Sequence, residues 1–174
     1  MLFRSGPRYS GMLKYPSLNS LGKIYLERGK YKEAYDNFVE CLEARFNASG
    51  INIGLMYEQG IIPGEQQDYR MAVHYFREAE KNYDTTGIYH LARFYENGIY
   101  FKRNIHKAIK LYEICADDNE PHGMSRLGQF YEDGLIEDMV EIIEPDIEKA
   151  VYWYRRASRK GNSLAHKRLR AILE

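Results

Sequence analysis

Three glutamates in this sequence each follow a tyrosine directly: Glu58, Glu96 and Glu132. If the segments that carry them stack, their carboxylates align as an acidic ladder. Paired carboxylates can do hydrolase-type acid–base work when a pocket separates their pKa values. On an open surface the same row would contact basic groups of a partner or stay solvated. Five histidines are the other candidates: His74, His90, His106, His122 and His166. The first four stand 16 residues apart, which places them on different helices and loops. No His-Glu-x-x-His or Cys-x-x-Cys spacing occurs, so no metal site is expected. No cofactor is expected either, and no residue is assigned a catalytic role.

The elements that position these side chains follow from a recurring interval. A small residue stands at Ser17, Ser49, Gly87, Gly123 and Ala165. Eight residues after each of the first four comes a tyrosine: Tyr25, Tyr57, Tyr95 and Tyr131. An alanine follows at 9, 15, 13 and 19 residues (Ala34, Ala72, Ala108 and Ala150), and the next small residue comes 15 later each time. The repeat lengths are therefore 32, 38, 36 and 42, each its tyrosine-to-alanine gap plus 23. All length variation sits in one loop per repeat, which is the mark of a helical solenoid.

Each repeat reads as two helices. The first carries a stripe at spacings of three and four, such as Leu91, Phe94 and Tyr95. Beside it stands a minimal side chain: Gly22, Gly54, Ala92 or Gly128. Glycine inside a helix costs about 1 kcal/mol relative to alanine, so its recurrence implies a close crossing by the second helix. The second helix has its own stripe, such as Ala150, Trp153, Tyr154 and Ala157. Asp68, Asn104 and Asp146 are placed to cap its start, and Gly60, Gly98 and Gly134 to close the first helix. Cys41 and Cys115 occupy positions held by Ala79 and Ala157 elsewhere, so they read as small packing residues with free thiols. That favours a reducing, cytoplasmic compartment. The longest loop, 135–145, alternates acidic and apolar residues. It reads either as an extra turn folded back on the solenoid or as a surface offering Met139, Val140, Ile142 and Ile143 to a partner.

Composition narrows the function. Hydrophobic residues make up 44% of the 174, enough for a continuous core. Twenty-five basic and 25 acidic residues cancel, which argues against a bulk grip on nucleic acid. No apolar run is long enough to span a membrane, and the first residues lack a signal-peptide pattern.

The runs IGLMYEQG (53–60), LARFYENG (91–98) and LGQFYEDG (127–134) resemble Sel-one-like repeats. The D-x-x-M-A, N-x-x-K-A and D-x-x-K-A segments that follow them fit the same family, an α/α repeat related to the tetratricopeptide repeat. LGKIYLERGKYKEAYDNFVEC in the first repeat looks more like a plain tetratricopeptide unit. The resemblance implies an all-α fold: a right-handed α/α solenoid of four helix-turn-helix repeats plus a C-terminal capping helix. Its expected layout is a flexible leader over 1–14 and a repeat domain over 15–174. The repeats run 15–46, 47–84, 85–120 and 121–161, with a cap over 162–174. The resemblance also implies a non-catalytic adaptor or scaffold that binds a peptide or helix of another protein. The positions expected to face its groove are Asn19, Lys23, Ile51, Leu55, Tyr89, Arg93, Ser125 and Gln129. The row Glu58, Glu96 and Glu132 stands beside them. A hydrolase using the acidic residues and a self-associating structural module are the alternatives.

Overall fold

The computed structural model describes the backbone of residues 8–44, 48–137 and 140–174, and the side chains of 14–44, 48–136 and 142–174. Backbone packing groups the chain into two compact units, Met1–Asp84 and Thr85–Glu174. The first unit contains α1 (Arg8–Glu27), α2 (Tyr31–Glu43), α3 (Ala48–Gln59) and α4 (Tyr69–Lys81). The second contains α5 (Thr85–Asn97), α6 (Ile105–Asp117), α7 (Pro121–Asp133), β1 (Leu135–Glu137), β2 (Val140–Ile143), α8 (Ile147–Arg159) and α9 (Ser163–Leu173). The expected α/α repeats and closing helix are all present. One boundary differs: α1 starts at Arg8, inside the segment expected to be a loose leader, and continues through Pro16.

Two recurring hydrogen bonds account for the repeat arithmetic. The amide of the residue four before each alanine donates to the carbonyl of the repeat tyrosine. These bonds are Lys30 to Tyr25 at 2.9 Å, Asp68 to Tyr57 at 3.1 Å, Asn104 to Tyr95 at 2.8 Å and Asp146 to Tyr131 at 2.7 Å. Loops of four different lengths thus close on one and the same bond, and the helices they join keep their register. The turn between repeats is closed as uniformly. Asp84, Glu120 and Asn162 donate to the carbonyls of Ala79, Cys115 and Ala157 at 3.0, 2.8 and 3.1 Å. Just before each donor the chain turns left-handed, at Tyr83, Asn119 and Gly161. A fixed turn leaves no room for insertion, which is why the alanine-to-small-residue interval does not vary across these three turns.

The expected caps form. Asp68 accepts the Arg70 and Met71 amides at 2.8 and 3.1 Å, and Asn104 and Asp146 each accept the third amide onward at 2.9 Å. The close crossings form as well. A Cβ on Gly22 would lie 2.5 Å from the Phe38 ring, on Gly54 2.8 Å from Phe76, and on Gly128 2.7 Å from Tyr154. Cys41 and Cys115 are buried and free, and their thiols donate to the carbonyls of Tyr15 and Thr85 at 3.3 and 3.4 Å.

The loop after α7 is not the extra turn that was one of the two forms expected of it. It is a two-stranded antiparallel hairpin, with Ile136 opposite Glu141 and Glu137 opposite Val140, and a bulge next to Leu135. Gly134 explains the departure. Its φ of 71° comes with a ψ of 172°, so the chain leaves α7 extended and enters a strand directly. Ile136 is exposed. Met139 lies outside the described residues.

Candidate functional site

The candidate residues fall on the first helix of each pair: α1 and α3 in one unit, α5 and α7 in the other. In the first unit the geometry is structural at two positions. Asn19 is buried, and its Oδ1 accepts from Ser49 Oγ at 3.0 Å and Asn52 Nδ2 at 2.9 Å, tying α1 to α3. Ile51 is buried in the core. Neither forms part of an open floor, because the turn of helix that carries them faces its neighbour. Lys23 is exposed, and Leu55 and Glu58 are half-buried.

In the second unit the glutamates form a ladder of ion pairs between successive first helices. Glu96 on α5 accepts from Arg126 on α7, with Nε at 3.0 and 3.2 Å from its two oxygens and Nη2 also engaged. It accepts in addition from the Tyr112 hydroxyl of α6 at 2.7 Å. Glu132 on α7 repeats the arrangement, with Arg168 of α9 at 3.4 Å and the Tyr154 hydroxyl of α8 at 2.5 Å. Each carboxylate therefore ties its own second helix and the next first helix together. Burial is the main cause that holds the Tyr112 and Tyr154 hydroxyls protonated, and the neighbouring carboxylate adds to it. The corresponding residues in the first unit are Phe38 and Phe76, which lack the hydroxyl. With both carboxylates taken up by internal donors, neither is set up as a general base. Neither Arg126 nor Arg168 was read from sequence as a partner of these glutamates. Both stand three residues after a repeat's small residue, and that recurrence was the available signal.

Beside the ladder, Tyr89 is half-buried against Tyr112 and His122, with ring centroids 5.9 and 5.3 Å away. Arg93 reaches back to His90, its Nη1 3.1 Å from Nδ1. Gln129 accepts from Arg126 Nη1 at 2.6 Å. Ser125 is buried. Tyr89, Ser125 and Gln129 line one cleft; Arg93 lies outside its lining. Among the described residues no His, Cys, Asp and Glu side chains cluster as a metal would require. No helix there is long and apolar enough to cross a membrane.

His90 carries a pH consequence. Burial first, then the Arg93 and His122 charges, push its pKa down from 6.5 to about 3. The folded state keeps the ring neutral while the unfolded chain takes up a proton near the ordinary value. Its contribution is therefore fully present above that value and is lost as pH falls toward the folded one. Between pH 7 and 5, above the ordinary carboxylate range, stability should drop by about 2 kcal/mol. Urea denaturation at the two pH values measures this. His90→Gln should remove most of the slope, and a wild-type protein equally stable at both would show that the ring is not held neutral.

The Sel1 repeat description matches residues 51–84, 86–119 and 121–162. The first repeat lies outside these matches, in keeping with its plainer sequence. A Sel1 repeat protein from Oxalobacter formigenes superposes with a TM-score of 0.69 at 22% identity, over 95% of this chain and 65% of that one. A protective antigen of uropathogenic Escherichia coli displaying an SLR fold gives a TM-score of 0.67 at 21% identity, over 94% of this chain and 34% of its own. Cysteine rich protein B of Helicobacter pylori gives 0.52 at 22% identity, over 71% and 90%. In sequence, an uncharacterized protein of Neisseria meningitidis serogroup B is 34% identical over 98 residues. These are 56% of this chain and 20% of the relative, so the chain spans about a fifth of that protein. Sel1 repeats serve generally as protein–protein interaction modules. Three matched repeats covering well over half of the residues, on paired helices closed by the same two backbone bonds, make this chain a member of the Sel1 repeat family.

Proposed function

We propose that this protein is a non-catalytic adaptor that binds a peptide or helix of a partner protein along the faces of its first helices. The observation that carries the reading is the mixed surface on α5 and α7. There Tyr89 offers an aromatic face, Arg93 a cation and Gln129 an amide, on helices whose packing is fixed by the Glu96–Arg126 pair. Such a surface gives affinity through a few anchors and selectivity through its charges. Lys23 and Leu55 occupy the corresponding positions on the first helices of the first unit. Absorption of Glu96 and Glu132 by internal partners favours binding over acid–base catalysis. The buried free thiols Cys41 and Cys115 support a reducing compartment such as the cytoplasm.

Peptide selection against the full chain, followed by calorimetry, tests this. Tyr89→Ala and Arg93→Glu should each weaken a selected peptide by about tenfold, the loss of one good anchor. Unchanged affinity in both variants, with folding intact, would remove this surface from the mechanism. Saturable turnover of a substrate would favour the enzyme reading instead.

A further inference from the structure

A cleft of about 310 Å³ opens in the second unit, lined by α5, α7 and the turn from α8 into α9. Ser125 lines it and is 3% exposed, and its Oγ has no hydrogen-bond partner among the described residues. A buried hydroxyl is costly to leave unsatisfied, so a donor at this position marks a place where an acceptor belongs. The amino end of α9 opens onto the same cleft. Asn162 caps that helix through the Ala165 amide at 2.9 Å, and its Nδ2 donates to the Pro121 carbonyl at 3.2 Å, which ties the turn to α7. Ser163 and Leu164 both line the cleft, and their amides precede the capped one, where a helix has no internal acceptor and its dipole favours an anion.

The charge agrees. Among the described residues the lining holds no carboxylate, and Lys160 stands exposed beside it. Arg126 also lines the cleft, but its charge is matched by Glu96. The surplus is thus one lysine and one helix end, which suits a monoanion better than a doubly charged phosphate. Tyr89 and Leu164 add apolar surface beside the donors. We infer that this cleft takes a carboxylate borne by the partner segment, with Ser125 Oγ and the Ser163 and Leu164 amides as donors and Lys160 as the counter-charge. This deepens the adaptor reading and rests on it: the partner is a peptide that presents a carboxylate, from an acidic side chain or from its chain terminus.

The test is an NMR titration of the ¹⁵N-labelled full chain at fixed ionic strength. Two probes carry the carboxylate from different sources: N-acetylglutamic acid α-amide as a side chain, and N-acetylleucine as a chain terminus. N-acetylglutamine α-amide and N-acetylleucinamide are their neutral counterparts. A carboxylate probe should shift the Ser125, Ser163 and Leu164 amides saturably, with Kd on the order of millimolar for so small a group. Its neutral counterpart should bind at least about tenfold more weakly, and whichever carboxylate binds tighter identifies the source. Lys160→Glu and Ser125→Ala, with melting unchanged, should each weaken binding by at least about fivefold.

Equal shifts from charged and neutral probes, no saturable shift, or affinity surviving both substitutions would overturn the inference. So would binding of inorganic phosphate alone. Selected peptides that still bind when the probes fail would remove the cleft and leave the adaptor reading standing. Probe binding with no peptide ligand found would keep the carboxylate site and remove that reading.

Discussion

Gly54→Leu is expected to lower the unfolding free energy by about 3 kcal/mol, the upper part of the usual range for overpacking. A Cβ alone at this position would sit 2.8 Å from the Phe76 ring and 3.1 Å from Tyr75 Cβ. Phe76 is fully buried, so its ring has no solvent to move into. Alanine is the milder test. It gains about 1 kcal/mol of helix propensity but still meets the ring, so Gly54→Ala should come out near neutral or somewhat destabilising. Ala92 stands at the same place in the third repeat and is fully buried, so a Cβ is accommodated there. Urea denaturation with an unchanged slope measures both variants. If Gly54→Leu unfolds at the wild-type midpoint, close helix crossing is not what holds glycine in this row.

Arg126→Ala is expected to cost about 2–3 kcal/mol, somewhat below the range for breaking a fully buried ion pair because the arginine is partly exposed. It would leave the Glu96 carboxylate, whose side chain is 11% exposed, with the Tyr112 hydroxyl as its remaining donor in the ladder. Arg168→Ala should cost less, about 1 kcal/mol, because that pair is longer at 3.4 Å and its arginine is 43% exposed. Pairing Arg126→Ala with Glu96→Leu should recover much of the loss, since an apolar side chain needs no counter-charge. A double-mutant cycle on the purified protein gives the coupling directly. Arg126→Ala costing no more than Arg168→Ala would mean that the ladder is solvated rather than structural.

Much of the fold was legible in the sequence because its determinants are local and repeated. The caps Asp68, Asn104 and Asp146 act within one helical turn, and the row Gly22, Gly54 and Gly128 faces a ring in the same repeat. Spacing alone exposes such relations, and the loops could vary because each closes on one tyrosine carbonyl. The hairpin after α7 was less legible. Its strands are only three and four residues long, and the conformation of Gly134 that launches them is not written in its identity. The β-branched Val140, Ile142 and Ile143 were the available cue.

The site was the least legible part. From sequence, Glu96 and Glu132 form an acidic row, and Asn19 and Ile51 belong to a groove floor. Whether a carboxylate is free or spent depends on its neighbours, and Arg126 and Arg168 come from the next repeat, across loops of different length. Likewise Ser125 stands out only because it lines the same cleft as the amino end of α9. Sequence alone determined the register of the helices, because register is a sum of intervals along the chain. Tertiary structure decided which charges cancel and which donors remain unspent, because pairing depends on distances between segments that no interval records.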